Sequence, residues 1–279
     1  MTEPLRLNHL YRVVDRETFA AACGSSWLRS LFAPSEVRTT QRPDWTYTGL
    51  YLYGTSTYLE LFEEGEQGPV GASGLAFAIE TPGATAALAE TWRTALGDAE
   101  TRLVVRPAET GDAGAVAAAA LDPAPWFHIA HTVPDRREQL HLWAMEYHAD
   151  FLAAWRSAAT EARGITRRDV LERYARVSGG PTAPLFDDVT AVTLALTAGE
   201  QGFLTRHLDG FDARARHVGG DVAYLDGDGI TIGVVPATGD RRGVQDVVCR
   251  LHRAVGRETL TLGRLAVDVD GTRAVLKFR

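Results

Sequence analysis

The strongest constraint on this chain is a pattern used twice in its first half: a β-rich run, a helix, then two alternating strands joined by a turn. In the first copy Leu5 to Val14 is β-rich, Asp15 can cap a helix, and apolar residues at helical spacing run from Phe19 to Phe32. Trp45 to Tyr53 and Thr57 to Glu63 then alternate with aromatic residues around Gly54-Thr55-Ser56, which reads as a hairpin. In the second copy Gly74 to Ile79 is the strand, and Thr81-Pro82 opens a helix through Ala86, Leu88 and Trp92. Thr101 to Arg106 fits a short strand, Ala113 to Pro125 an Ala/Pro-rich connection, and Trp126 to Val133 with Leu140 to His148 the recurring hairpin.

The remainder is looser. Phe151 to Val177 reads as two helices broken at Gly164, with Thr166-x-x-Asp169 as a capping box for the second. Ser178 to Pro184 has the composition of a linker. Val189 to Leu196 then reads as a strand, Glu200 to Leu208 as a helix, and His217 to Pro236 as a strand pair turned at Asp226-Gly227-Asp228-Gly229. A last helix is expected over Val244 to Val255, followed by two strands meeting at Asp270-Gly271-Thr272. The expected organisation is a paired-module domain over 1–150, a helical connector and linker over 151–184, and a second, degenerate α+β domain of the same type over 185–279.

Composition narrows the chemistry. A net charge of -7, with no local Lys/Arg cluster, argues against nucleic acid as a partner. Met1 to Leu10 does not read as a targeting segment, and no apolar run approaches the roughly 18–20 residues that span a bilayer. A cytoplasmic protein without a membrane partner is therefore expected. Cys23 and Cys249, both in segments of helical pattern, lie far apart and outside any paired-Cys motif. Lys277 is the only lysine, which leaves none for an internal Schiff base or a P-loop. There is no G-x-S-x-G and no strand-to-helix G-x-G-x-x-G. His, Glu and Asp chemistry remains.

Leu7-Asn8-His9-Leu10-Tyr11-Arg12-Val13 and Thr57-Tyr58-Leu59-Glu60-Leu61-Phe62-Glu63 resemble the vicinal oxygen chelate superfamily, which includes glyoxalase I, extradiol dioxygenases, fosfomycin-resistance transferases and bleomycin-sequestering proteins. The likeness covers about 150 residues by pattern and the rest only loosely. It implies an α+β fold of repeated βαβββ modules, whose curved, mainly antiparallel sheets enclose a cavity; the Phe151 to Val177 pattern adds a helical insert between the halves. It also implies a metal ligand in the middle of the first strand and another on the fourth.

Residues two apart share a strand face, so His9 and Glu60 can converge if their strands are neighbours. Carried onto the second copy, the pattern makes Glu146 a third ligand, whereas the second first-strand has Leu75 near the expected position. His148 or His128 could compensate or act as catalytic groups; His128 and His131, three apart, cannot both face inward. Tyr11, Tyr51, Tyr58 and Trp126 are expected to line the substrate cavity. A His9, Glu60 and Glu146 triad would hold a divalent metal (Fe, Mn, Zn, Ni or Co) with positions open for a small oxygen-chelating substrate. The expected activity is then that of a lyase, isomerase or dioxygenase. The alternative is a metal-free protein that sequesters an aromatic natural product. A homodimer is compatible with either.

Overall fold

The computed structural model describes residues 2–41, 46–106, 124–132, 139–155, 164–217, 223–239 and 241–279. The first copy consists of β2 (Leu7–Val14), α1 (Arg16–Gly24), β3 (Ser35–Gln41), β4 (Thr46–Tyr53) and β5 (Tyr58–Glu63). The second consists of β6 (Ser73–Ala78), α2 (Ala84–Leu96), β7 (Glu100–Arg106), β8 (Ala124–His131) and β9 (Leu140–Tyr147). Each first strand runs parallel to the last strand of its own copy, and β2 pairs antiparallel with β6. The result is one eight-stranded sheet in the order β3-β4-β5-β2-β6-β9-β8-β7. Both copies are βαβββ modules.

Local chemistry explains most of these elements. Asp15 caps α1 by accepting from the Thr18 amide at 2.9 Å and from its hydroxyl at 2.9 Å. The single helix expected to reach Phe32 instead stops at Gly24, and a π-helical turn covers Leu28–Phe32. Gly24-Ser25-Ser26 supplies three poor helix formers at the break. β3 carries one apolar residue, the exposed Val37, so this polar edge strand left no periodicity to read. Most of the Ala113 to Pro125 connection, together with Trp45 and Val133, lies outside the described residues.

A third unit follows the same plan. β10 (Phe186–Leu196), α4 (Ala198–Leu208), β12 (Arg214–His217), β13 (Ala223–Asp226) and β14 (Thr231–Pro236) pair in the order β12-β13-β14-β10, with β10 parallel to β14. β1 (Glu3–Pro4) ties the start of the chain to β11 (Phe211–Asp212). Where a fourth module would stand there is only a long hairpin, β15 (Gly243–Leu262) and β16 (Leu265–Phe278). The helix expected over Val244 to Val255 is therefore a strand, and Cys249 lies on it. Val247, Cys249 and Leu251 are buried in alternation, a period of two in a Val-rich segment that favours a strand. Asp270-Gly271-Thr272 is not a turn either. It lies within β16 beside register shifts in β15, and the chain reverses at Gly263, whose φ is +59°.

Among the described residues the helical insert has a 3-10 helix, Ala149–Trp155, and α3 (Arg167–Ser178), which starts with the expected Thr166/Asp169 capping box; most of the first helix expected from Phe151 lies outside them. The insert closes one side of the large sheet. Leu10, Leu50, Leu52, Leu59, Leu61, Leu75 and Leu142 belong to one aliphatic core extending from Leu5 to Phe278. Tyr11, Tyr51, Tyr58, Phe62 and Met145 form the other core, with Val170, Leu171 and Tyr174 of α3. On β4 and β5 the leucines join the larger core, while Tyr51, Tyr53, Tyr58 and Phe62 belong to the other. Among the described residues no helix is long and apolar enough to cross a membrane.

Candidate functional site

The aromatic face of the eight-stranded sheet encloses a cavity of about 530 Å³. β2 contributes His9 and Tyr11, β5 contributes Tyr58, Glu60 and Phe62, and β4 contributes Tyr47, Tyr51 and Tyr53. His141, Trp143 and Met145 come from β9, Trp126, Phe127, Ile129 and His131 from β8, and Tyr174 from α3. The volume suits a small organic molecule.

His9 is held from several sides. The pairing of β2 with β6 slips between Leu7 and His9, a bulge that re-aims Asn8. The Asn8 side-chain oxygen lies 2.8 Å from Nδ1 of His9. An amide oxygen can only accept, so the proton of this contact is on Nδ1. Tyr58 stacks on the imidazole at 4.3 Å between ring centroids, and Trp143 meets it edge-on at 5.2 Å. The free lone pair of Nε2 then faces Glu60, whose Oε1 is 3.9 Å away.

That gap is too long for a direct hydrogen bond, but a ligand oxygen can sit within reach of both groups. Burial drives the His9 pKa down to about 3. Burial also pushes Glu60 up to about 8, against the opposing pull of Arg38 and a hydrogen bond involving Tyr58. At neutral pH the imidazole is neutral and most of the Glu60 population keeps its proton. The pair combines a proton acceptor and a proton donor without a net charge.

Next to it, the Tyr11 hydroxyl is 2.6 Å from Nδ1 of His141. Burial and the neighbouring Glu60 raise the Tyr11 pKa well above the phenol range, and burial lowers that of His141. Tyr11 is therefore the donor. Gly74 on β6 makes this packing possible. A Cβ there would lie 2.3 Å from the Tyr11 ring and 2.7 Å from Trp143.

Tyr11, Tyr51, Tyr58 and Trp126 all lie in the cavity lining, and the Trp126 indole donates to the Tyr174 hydroxyl at 3.0 Å. Glu146 does not join His9 and Glu60. It sits on the opposite face of β9, where Oε1 accepts from the Gly83 amide at 2.6 Å and Oε2 from the Thr85 hydroxyl at 2.6 Å, at the N-terminus of α2. An anchored carboxylate at a helix start is a structural cap. His128 is directly opposite Glu146 in the ladder and shares that outer face. His148 follows just after β9, with Nδ1 accepting from the Asp150 amide at 3.2 Å. His131 is the member of the β8 pair that lines the cavity. On β6 the aliphatic core claims Leu75, while Gly74 and Ala76 pack against the cavity-side aromatics and offer no donor.

The residues fit a metal poorly. His9 Nε2 and Glu60 supply two donors, whereas structural and catalytic centres of this kind use at least three protein ligands. Among the described residues no group of three His, Cys, Asp or Glu side chains is placed to hold a metal ion.

The chain belongs to the family of unknown function DUF5829, whose model matches residues 7–278. No curated protein matches it. Among solved structures, a hypothetical protein from Staphylococcus aureus is 10% identical, with a TM-score of 0.55 over 92% of this chain and 96% of its own. The 2,3-dioxygenase LapB from Pseudomonas sp. KL28 is 10% identical, with a TM-score of 0.45 over 98% and 91%. The halotolerant catechol dioxygenase BphC is 9% identical, with a TM-score of 0.41 over 95% and 82%. The staphylococcal likeness shows that this DUF5829 chain shares its fold.

Several lining residues escaped the sequence reading. Arg38 lies on the unread strand β3. An inward Glu146 sets β9 one residue out of phase and turns His141, Trp143 and Met145 away from the cavity that they line. A signal was present: on β5 the leucines face the aliphatic core and the aromatics face the cavity. The same sorting of Leu140, Leu142 and Ala144 from His141, Trp143 and Met145 sets the phase of β9.

Proposed function

We propose that the cavity binds a planar aromatic small molecule without a metal ion. A polar group on that molecule would be met by the Glu60 carboxyl and by Nε2 of His9. The observation that carries this reading is an aromatic lining closed around a neutral donor–acceptor pair. Stacking on tyrosine and tryptophan supplies affinity with little loss of side-chain entropy, and the buried pair selects a partner that can both give and accept a hydrogen bond. The same pair can pass a proton to and from the bound molecule, so sequestration and acid–base catalysis use one geometry.

A second reading, a divalent metal enzyme, is favoured by one feature. Asn8 fixes Nδ1–H of His9 and leaves Nε2 open, as outer partners do for metal-bound imidazoles. The missing third ligand counts against it.

Titration with 2-naphthol, read by tyrosine and tryptophan fluorescence, tests both. Saturable quenching that survives dialysis against EDTA, and weakens at least about tenfold in Tyr58→Leu, is the expected result. Binding that vanishes on chelation and returns with Fe, Mn, Zn, Ni or Co would establish the metal reading instead. No saturable signal at all would remove the aromatic site.

A further inference from the structure

We propose that the natural ligand is an aromatic anion, and that Arg38 and Arg102 grip its acidic group at the rim of the cavity. This rests on the reading of the cavity as an aromatic site and specifies what that site selects.

β3 and β7 are the two outermost strands of the eight-stranded sheet, yet Arg38 of β3 and Arg102 of β7 line the same cavity. The sheet therefore curls until its two edges face one space, and each edge brings an arginine to it. Arg102 is exposed in its strand, opposite Ile129 of β8. The Arg38 side chain is 30% exposed, so the group reaches solvent at one end and the ring-lined interior at the other.

The Arg38 guanidinium lies over Tyr51, 4.1 Å from the ring centroid, and Nη1 donates to Glu36 at 2.8 Å. These contacts fix its plane while a fork of five N–H donors keeps others for a ligand. Two cations in the lining run against the chain as a whole, which carries a net charge of -7. Glu36, which pairs with Arg38, lies outside the lining, and the single carboxyl among the described lining residues is Glu60, beside His9.

Aromatic walls also suit organic cations. Here a cation would meet two guanidinium groups, and the Tyr51 face is already covered by one of them. A carboxylate or sulfonate on a flat ring system matches both features, through charge-assisted hydrogen bonds at the rim and stacking within.

The experiment compares three probes of one shape at pH 7: 2-naphthoate, the neutral 2-naphthamide and the cationic 2-naphthylmethylammonium. The naphthoate is expected to bind at least about tenfold tighter than the amide. Arg38→Gln and Arg102→Gln are each expected to lower naphthoate affinity about tenfold while leaving that of the amide unchanged, with unaltered thermal unfolding as the control for folding. Equal affinity for acid and amide, a preference for the ammonium, or arginine variants that weaken all three alike would overturn the anion assignment and leave the aromatic site standing. Failure of all three probes to bind would remove the aromatic site, and this inference with it.

Discussion

At Glu60 the native fold holds a carboxyl that prefers its proton, and this links stability to pH. Its pKa rises from 4.5 to about 8 on folding, so between those values the unfolded chain releases a proton that the native protein keeps. The Glu60 contribution is therefore fully present below pH 4.5, declines as pH rises, and levels off above about 8, for a total on the order of a few kcal/mol. His9 acts in the opposite direction. Its pKa falls from 6.5 to about 3, so its contribution is lost as pH drops from 6.5 toward 3. Glu60→Gln removes only the first effect. The variant should match the wild type near pH 4.5 and exceed it in stability by a growing margin up to pH 8, as measured by urea unfolding at a series of pH values; a margin that stays constant with pH would contradict the raised pKa. Both residues were legible in the sequence because each is a polar group set among leucines and aromatics on a β-rich run. Asn8, which orients His9, was not, since a bulge leaves no trace in a two-residue alternation.

At the scale of elements, strand phase decides chemistry. Glu146 and Glu60 occupy comparable stretches of duplicated modules, but one residue of register sends Glu146 to the helix side of the sheet. Glu146→Ala should lower stability by about 1–2 kcal/mol, the size of a lost helix cap, and leave 2-naphthol affinity unchanged. Calorimetry and fluorescence titration of the same preparation would check this, and a selective loss of binding would return Glu146 to the site. The modules themselves were readable because their strands alternate and the first helix carries a cap at Asp15, while the Thr166 capping box marked the insert. β3 and β15 carry no such pattern: one has a single apolar residue, Val37, and the other packs enough apolar residues into Val244 to Leu251 to satisfy either period.

For the whole molecule, the aliphatic core crosses every unit. It runs from Leu5 to Phe278, and the buried Arg12 of β2 fastens the units further by donating to the backbone oxygens of Arg242 and Val244 and lying 5.0 Å from the Phe278 ring centroid. A single cooperative thermal transition follows, with near-UV and far-UV circular dichroism coinciding; two resolved steps would mean that the third unit melts separately. Duplication at this scale has a further consequence for the cavity. One module brings His9 and Glu60, whereas its counterpart answers with Gly74, Ala76, Trp143 and Met145, so the two walls are chemically unequal. A guest bound as proposed in such an asymmetric chamber would have a head and a tail: only one heading would turn its polar end toward the imidazole, and regioisomers of identical size and charge would then differ in affinity.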